Sequence, residues 1–522
     1  METKMKKTGI YRDFQTYHPG EVVKVDVVVI GSGCGGATMA YELSKKGIKV
    51  ALLEQGGNYH TGTFDNNELN MAGKVSAERN FHTTSDGGIN LVYGNNLGGA
   101  SVHYWADSYR TPNDRLLLWN RKYGIDHHLP EDLDPYWNEL ETDLHVSPAT
   151  EEYFNPMNRL FRNASQRLGW EGHAVPQARK NCQKSGHCMQ GCLFGAKQSQ
   201  LITHIPNAVR LGTDVYTDLR AEQLEIVGNK VKGLKAVVMD RRTLRPTQTK
   251  IEFQCKAVCV SAGGFGSSKF LLKNGLKKRY PALGEFLAIN PSPMVHALYE
   301  EPIVQWRNIP AAYGVEGFRL AKYQNGSYKE GGYMLMPNQL QPATLAALLP
   351  SFGNDHFVYM KQLEFLGGTI GWIDDVEGEL GSIDVDFFGK TKVNYPFGKT
   401  TKQIFSDLTY KQMKLNFEAG AKEVFLAGMK LRKFTKLPKK EEIDALAWRP
   451  AEFPMAAPHP AGGCRMGKSI DHSVVNSKHQ VHGFQNLFVA DSSVFPTGVS
   501  VDPSFTIMAF SKKASEFVAE VI

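Results

Sequence analysis

Two groups of residues in this sequence have the types and spacing to do chemistry. In Gly31-Ser32-Gly33-Cys34-Gly35-Gly36, the residues Gly31, Gly33 and Gly36 follow the order GxGxxG directly after the apolar run Val27-Val28-Val29-Ile30. The first glycine permits a tight turn, the second lets the backbone approach a pyrophosphate at a helix N-terminus, and the third permits close helix packing. Glu54 ends a second apolar run 21 residues beyond Gly33, where it can accept hydrogen bonds from the ribose hydroxyls of an adenosine. The other group is Cys182, Cys188 and Cys192, three of the chain's 7 cysteines within eleven residues. Thiolates so spaced can converge on iron or zinc, with Gly186 and Gly191 letting the loop wrap. Zinc would recruit His187 or His204 as a fourth ligand, and free thiols or a disulfide are the plain alternative. Cys34, Cys255, Cys259 and Cys464 read as packing residues.

An α/β framework must position these groups. Asp26 to Ile30 reads as a buried strand, the stretch through Tyr41, Leu43 and Lys46 to Gly47 as a helix, and Lys49 to Leu53 as a second strand, which together make a βαβ unit. Leu224–Val227 and Val231–Met239 flank Gly228-Asn229-Lys230 as a hairpin, and Ala257–Ser261 is another strand leading into glycines. Short alternating segments between residues 281 and 400 predict an antiparallel sheet beside the parallel one. Phe505, Met508, Phe510, Phe517, Val518 and Val521 share one face of a closing helix, for which Asp502-Pro503 suits the N-cap and first positions. With 522 residues, 42% of them hydrophobic and 22% charged, the chain is long enough for several globular domains. A net charge of +7 without a one-sign block gives no reason to expect nucleic acid as a partner. No apolar run is long enough to span a membrane. The charged, polar N-terminus lacks the apolar core of a secretory signal, so the expectation is a cytoplasmic address.

Five ordered motifs carry a resemblance that covers most of the chain: GSGCGG at Gly31, GGASVHYWADSYRTP from Gly98 to Pro112, SAGGFGSS from Ser261 to Ser268, HPAGGCRMG from His459 to Gly467, and FPTGVSVDPSFTIMA from Phe495 to Ala509. The sequence resembles the glucose-methanol-choline oxidoreductase family of FAD enzymes, and within it the long-chain alcohol oxidases and bacterial iron–sulfur dehydrogenases. The resemblance implies a Rossmann-like FAD-binding domain assembled from residues 21–112, 206–280 and 455–522. It also implies an insert over residues 113–205 carrying the cysteines and a substrate domain on an antiparallel sheet over residues 281–454. By the same resemblance Gly98, Gly99 and Ser101 line the flavin's pyrophosphate and ring, and Asp491 its ribityl or phosphate region.

Oxidising an alcohol requires a base for the hydroxyl proton while the carbinol hydrogen leaves as hydride. The resemblance assigns that base to His459. The family's partner residue, Asn or His before a proline, is replaced here by Asp502. A carboxylate about 4 Å from an imidazolium interacts by roughly 4 kcal/mol at an effective dielectric of about 20. Asp502 is therefore a protonated donor, a co-base with His459, or only a helix cap. Ala100 and Tyr104 are further departures near the flavin ring. By the same resemblance the three cysteines would hold a [3Fe-4S] cluster that takes electrons from the flavin to an acceptor protein or subunit. The expected activity is dehydrogenation of a small-molecule alcohol. The alternatives are an oxidase using oxygen with a structural cysteine loop, and a flavin-binding protein without catalysis. Phe357, Tyr359, Phe365 and Trp372 are candidates equally for core and for pocket lining.

Overall fold

The computed structural model describes residues 8–426, 428 and 430–522; the first seven residues, part of the N-terminal segment read above as lacking a signal, lie outside them. Val27–Ile30 is the inner strand of a six-stranded parallel sheet. The strand order is Tyr11–Arg12, Asp214–Tyr216, Val50–Leu53, Val27–Ile30, Ala257–Val260, Leu487–Val489. A parallel sheet is covered on both faces, and for this reason its strands read as unbroken apolar runs. Val27 and Val29 pack under the helices Cys34–Lys45 and Ser504–Ala519 with Leu43, Ala514 and Val518. Val28 and Ile30 point the other way, onto Leu234, Ala236 and Phe253.

Those last residues belong to a second, four-stranded sheet. Leu219–Val227, Lys230–Met239 and Pro246–Gln254 run antiparallel, and Val22–Lys24 adds in parallel at the edge. The hairpin expected around Gly228 is present with longer arms, because its outer residues pair across the sheet even where they face solvent.

The antiparallel sheet expected from residues 281–400 is larger than that segment. Its strand order is Arg432–Phe434, Glu423–Leu426, Ser292–Leu298, Leu366–Ile373, Tyr333–Pro337, Tyr313–Val315, Gly172–Ala174. Met455–Ala457 pairs antiparallel with the start of Ser292–Leu298 and parallel with Ile89–Leu91. The helix Lys399–Glu418 covers this sheet, burying Ile404, Phe405, Leu408 and Leu415 with Val295 and Ala297. Among the described residues no helix is long and apolar enough to cross a membrane.

Candidate active site

The glycine turn leaves the central strand and meets Gly98-Gly99, brought in from a distant stretch of chain. Gly99 has φ of +55°, and a Cβ there would lie 2.7 Å from the Gly33 Cα. A Cβ at Gly36 would lie 1.8 Å from the Gly31 carbonyl oxygen. The backbones therefore touch where side chains would hold them apart. The helix that follows, Cys34–Lys45, has no side-chain cap, so its first N–H groups stay free toward the cavity.

Ser32 pins these turns together. Its hydroxyl donates to Glu54 Oε2 at 2.6 Å and accepts from the Gly98 N–H at 3.0 Å. Gly56 N–H donates to Glu54 Oε1 at 2.8 Å. Burial raises the Glu54 carboxyl above its ordinary range, opposed by the Ser32 hydroxyl and by the Gly56 and Ser32 N–H groups. Ser101 donates to the Gly98 carbonyl at 2.6 Å and accepts from the Gln200 N–H at 3.0 Å. Asp491 sits just past the strand Leu487–Val489. Its Oδ2 accepts from the Gly263 N–H at 2.8 Å and the Ser267 hydroxyl at 2.5 Å, while its Oδ1 accepts from the Ser493 N–H at 2.9 Å, so the carboxylate fixes another glycine turn.

A single cavity of about 1550 Å³ runs from this cradle to the histidine motif, lined by Gly33, Glu54, Gly99, Asp491, His459 and Asp502 among others. Its volume exceeds the few hundred to 1,000 Å³ of most small-ligand sites, leaving room for a dinucleotide and a substrate together. The donor set fits FAD: free helix N–H groups for a pyrophosphate, a carboxylate for a ribose, and glycines where the cofactor must lie against backbone.

At the other end, His459 follows the strand Met455–Ala457. The chain beyond it is fastened by paired Ala461 and Ala288 backbones at 2.8 and 2.9 Å and by Gly462 N–H to Ser492 O at 3.0 Å. His459 Nε2 lies 2.9 Å from Asp502 Oδ1, with both side chains nearly buried. Trp372 sets its ring edgewise to the imidazole, centroids 5.0 Å apart, and Trp105 packs on Trp372. Of the three readings open for Asp502, the geometry removes the one in which it is only a helix cap. Pro503 is the N-cap, no side chain caps the helix, and the Asp502 carboxylate turns to the imidazole instead. Asp502 Oδ2 is buried without a partner.

Sequence reasoning missed several residues here. Asp107 is buried on the same cavity wall, its Oδ1 accepting from Gln177 Nε2 at 2.7 Å. Ser32 was visible only as the variable position of a glycine motif, and Trp105 as one aromatic among many. Of the four aromatics weighed as lining, Trp372 borders the cavity. Tyr359 packs on Phe425 in the core with centroids 4.6 Å apart, and Phe357 is exposed.

The cysteine loop borders the cavity through Met189 and Gln190. Cys188 and Cys192 are buried, Cys182 is half-buried, and all are free thiols. Among the described residues no three His, Cys, Asp or Glu side chains gather as ligands of one metal ion, so the zinc alternative finds no site. His204 is engaged elsewhere: its Nδ1 is 3.0 Å from Thr38 Oγ1 and its ring stacks on Tyr41. His187 Nδ1 lies 2.8 Å from the Ser185 carbonyl. Arg179 Nη1 donates to Cys188 Sγ at 3.4 Å. Lys197 is buried, and its ammonium donates to the carbonyls of Val102 (2.6 Å), Tyr104 (3.0 Å) and Cys188 (2.5 Å). Burial lowers Lys197 to about 8. The thiols of Cys34, Cys255, Cys259 and Cys464 are pushed up to about 12 by burial, consistent with packing roles.

A parallel sheet with glycine turns at one end of a cavity and an imidazole–carboxylate pair at the other defines a dinucleotide-dependent oxidoreductase. The comparisons place it more closely. Two family models, both described as GMC oxidoreductase, match residues 25–292 and 410–511. The chain belongs to the GMC oxidoreductase family, FAD-dependent enzymes acting on CH–OH donors. It is 24% identical to an uncharacterized GMC-type oxidoreductase of Mycobacterium tuberculosis, over 96% of this chain and 77% of that one. It is 25% identical to a long-chain-alcohol oxidase of Arabidopsis thaliana, over 93% of this chain and 66% of the relative. A 2-methyl-1,2-propanediol dehydrogenase of Mycolicibacterium austroafricanum is 23% identical over 95% of both chains. The fold is shared with the crystal structure of pyridoxine 4-oxidase from Mesorbium loti, at a TM-score of 0.71 and 15% identity, covering 95% of this chain and 99% of that one.

Proposed function

We propose that this enzyme oxidises the CH–OH group of an apolar alcohol to a carbonyl, with His459 and Asp502 together accepting the hydroxyl proton. The observation that carries the reading is the 2.9 Å contact of His459 Nε2 with Asp502 Oδ1 inside the cavity that also contains the cofactor cradle. FAD, when bound, supplies the acceptor for the carbinol hydride. The turn at Gly31, Gly33 and Gly36, with Glu54, Gly98, Gly99, Ser101 and Asp491, would hold it. The proton arriving at the imidazole is stabilised by the Asp502 carboxylate, which also fixes the ring's orientation, as in other carboxylate–histidine pairs. Trp372 and Trp105 wall the pair and exclude water from it. Met294, Leu340, Leu348, Ile370 and Met455 line the cavity and favour an alcohol with an apolar body, in keeping with the long-chain-alcohol oxidase relatives. Mixing the FAD-loaded protein anaerobically with straight-chain alcohols of increasing length should bleach the flavin, faster for longer chains. A flavin that no alcohol bleaches would overturn the reading in favour of a flavin-binding protein without catalysis.

A second reading concerns the electrons' onward route to an acceptor protein or subunit. It takes Cys182, Cys188 and Cys192 as ligands of an iron–sulfur cluster rather than of a single ion. What supports it is a pair of cations, the half-buried Arg179 and the buried Lys197, which have no carboxylate partner among the described residues and lie against Cys188. Burial raises the Cys182 thiol, and the Arg179 charge opposes that rise. Iron and acid-labile sulfide in protein prepared without air would support it. Their absence, with rapid reoxidation of the reduced protein by oxygen, would favour an oxidase with a structural loop.

A further inference from the structure

Asp502 and Trp372 reach His459 from different elements, and one buried arginine behind the cavity wall holds both elements. Arg115 lies in the helix Asn113–Tyr123. Its Nη2 pairs with Asp374 Oδ2, and its Nη1 donates to Thr497 Oγ1 at 3.0 Å. Asp374 follows the strand Leu366–Ile373, two residues past Trp372, and Thr497 stands five residues before Asp502. A planar guanidinium holds two acceptors in a fixed relation, which a flexible ammonium does not.

The loop from Thr497 to Asp502 needs such an anchor. Ser500 is buried with φ at +62°, a left-handed conformation costly for a residue with a Cβ. Trp119, one turn along the same helix, donates its indole N–H to the same Thr497 hydroxyl at 2.9 Å. Arg319 grips the loop further on: its Nη1 donates to Ser500 Oγ at 2.9 Å, and its Nη2 to both oxygens of Asp114, beside Arg115, at 3.0 and 2.9 Å. The loop also lies close against the strand end, since a Cβ at Gly498 would be 3.5 Å from Asp374 Oδ1 and from Asp375 Oδ2. Asp375 Oδ2 accepts from the Asn290 N–H at 2.9 Å, two residues past the Ala288 that pairs with Ala461 beyond His459. Arg115, Thr497 and Asp374 are not among the described residues that line the cavity, so they reach the reaction only through what they hold.

We propose that Arg115 is a positioning residue for proton removal: by holding Thr497 and Asp374 together, it sets the Asp502 carboxylate and Trp372 about the His459 imidazole. The inference rests on His459–Asp502 as the proton acceptor. A misplacement of about 1 Å at a reacting group can cost about a hundredfold in rate even when its cause lies outside the site. The apolar lining stays as it is when the anchor loosens, so the loss falls on the rate of flavin reduction and not on the binding of the alcohol.

Arg115→Met would strip a buried carboxylate of its partner and endanger the fold, so the anchor is tested at Thr497. Thr497→Val keeps the shape and removes the acceptor; Thr497→Ser keeps the hydroxyl and gives up a methyl group. In the FAD-loaded enzyme, Thr497→Val should lower the limiting rate of flavin reduction by alcohol about tenfold with KM changed less than about twofold, and Thr497→Ser should restore most of that rate. A packing role predicts the reverse order. In an Asp502→Asn background Thr497→Val should cost less than about twofold, because the group it positions has lost its charge. Crystal structures of the FAD-loaded proteins read the same anchor without turnover: the 2.9 Å contact of His459 Nε2 with Asp502 Oδ1 should open beyond hydrogen-bond reach in Thr497→Val and persist in Thr497→Ser. A contact unchanged in Thr497→Val, a serine variant as slow as the valine one, or a full tenfold loss in the Asp502→Asn background would overturn the proposal. A protein that oxidises no alcohol yet loses the contact in Thr497→Val alone would keep this inference and overturn only the proposed function.

Discussion

The imidazole corner and the cysteine loop border the same cavity and are built on opposite electrostatic plans. At the corner the contact of His459 with Asp502 is direct, and Asp107 is a further buried acid lining the same cavity. At the loop, the half-buried Arg179 and the buried Lys197 have no carboxylate partners among the described residues and are held instead by backbone carbonyls, an amide oxygen and a thiol. Gln177 joins the two, donating to Asp107 and accepting from Arg179. On the functions proposed above, the difference would separate a site that takes a proton from one that holds a cluster's sulfur ligands.

The comparison breaks most sharply at His459. His459→Ala should slow alcohol-driven flavin reduction by roughly 10²–10⁴, the range of a positioned acid–base group. Rapid-mixing absorbance measures it. Asp502→Asn leaves the ring in place but replaces a charged partner, and hydrogen bonds to charged groups are worth about 1.5–3 kcal/mol. The expected loss is about ten- to a hundredfold, with an altered pH profile; an unchanged rate and profile would leave Asp502 no acid–base role. Gly99→Val strikes the cradle that serves both regions. Its side chain would enter the 2.7 Å approach to Gly33 from a left-handed backbone, and strain of about 1–3 kcal/mol corresponds to roughly five- to 150-fold weaker FAD retention by equilibrium titration.

On the loop side, Lys197→Met strands three buried carbonyls and should destabilise the fold by about 1–3 kcal/mol in denaturant unfolding. Its pH signature has a definite sign. The folded-state value of about 8 lies below the roughly 10.4 of an unfolded lysine, so the unfolded chain binds more protons between them. Lys197 therefore adds a rise in stability from about pH 8 to about pH 10.4, and that rise should vanish in the variant. The smallest effect belongs to Cys188→Ser. Flavin reduction by alcohol should change less than about threefold, because on the cluster reading proposed above the thiol would serve the onward electron route and not proton removal. A loss comparable to that of His459→Ala would merge the two regions into one.

The sequence made the cradle legible because GxGxxG, the strand before it and Glu54 are local and their spacing is mechanical. The fold class followed for the same reason: Val27–Ile30 must be covered on both faces, and it is. His459 was legible only through its motif. Asp502 was visible but ambiguous, since an acid before a proline reads equally as a cap, and only the placement of Pro503 as N-cap separates the two. Asp107 gave no signal. Its place on the cavity lining comes from a backbone turn at Ala106 and a bridge to Gln177, 70 residues away, that no local pattern encodes. The cysteine spacing suggested a shared iron–sulfur cluster or zinc ion, or else free thiols or a disulfide, and among the described residues no three His, Cys, Asp or Glu side chains gather as ligands of one metal ion. Eleven residues of loop do not fix where three sulfurs point.

The central claim is that the His459–Asp502 pair removes the hydroxyl proton while the carbinol hydrogen is lost. Its most direct measurement is anaerobic single-turnover reduction of the FAD-loaded enzyme by a long straight-chain alcohol, carried out with wild type and His459→Ala and with hydrogen or deuterium on the carbinol carbon. The account predicts rapid bleaching by wild type, slowed by deuterium, and a rate lower by roughly 10²–10⁴ in the variant. Equal bleaching by wild type and His459→Ala would contradict it.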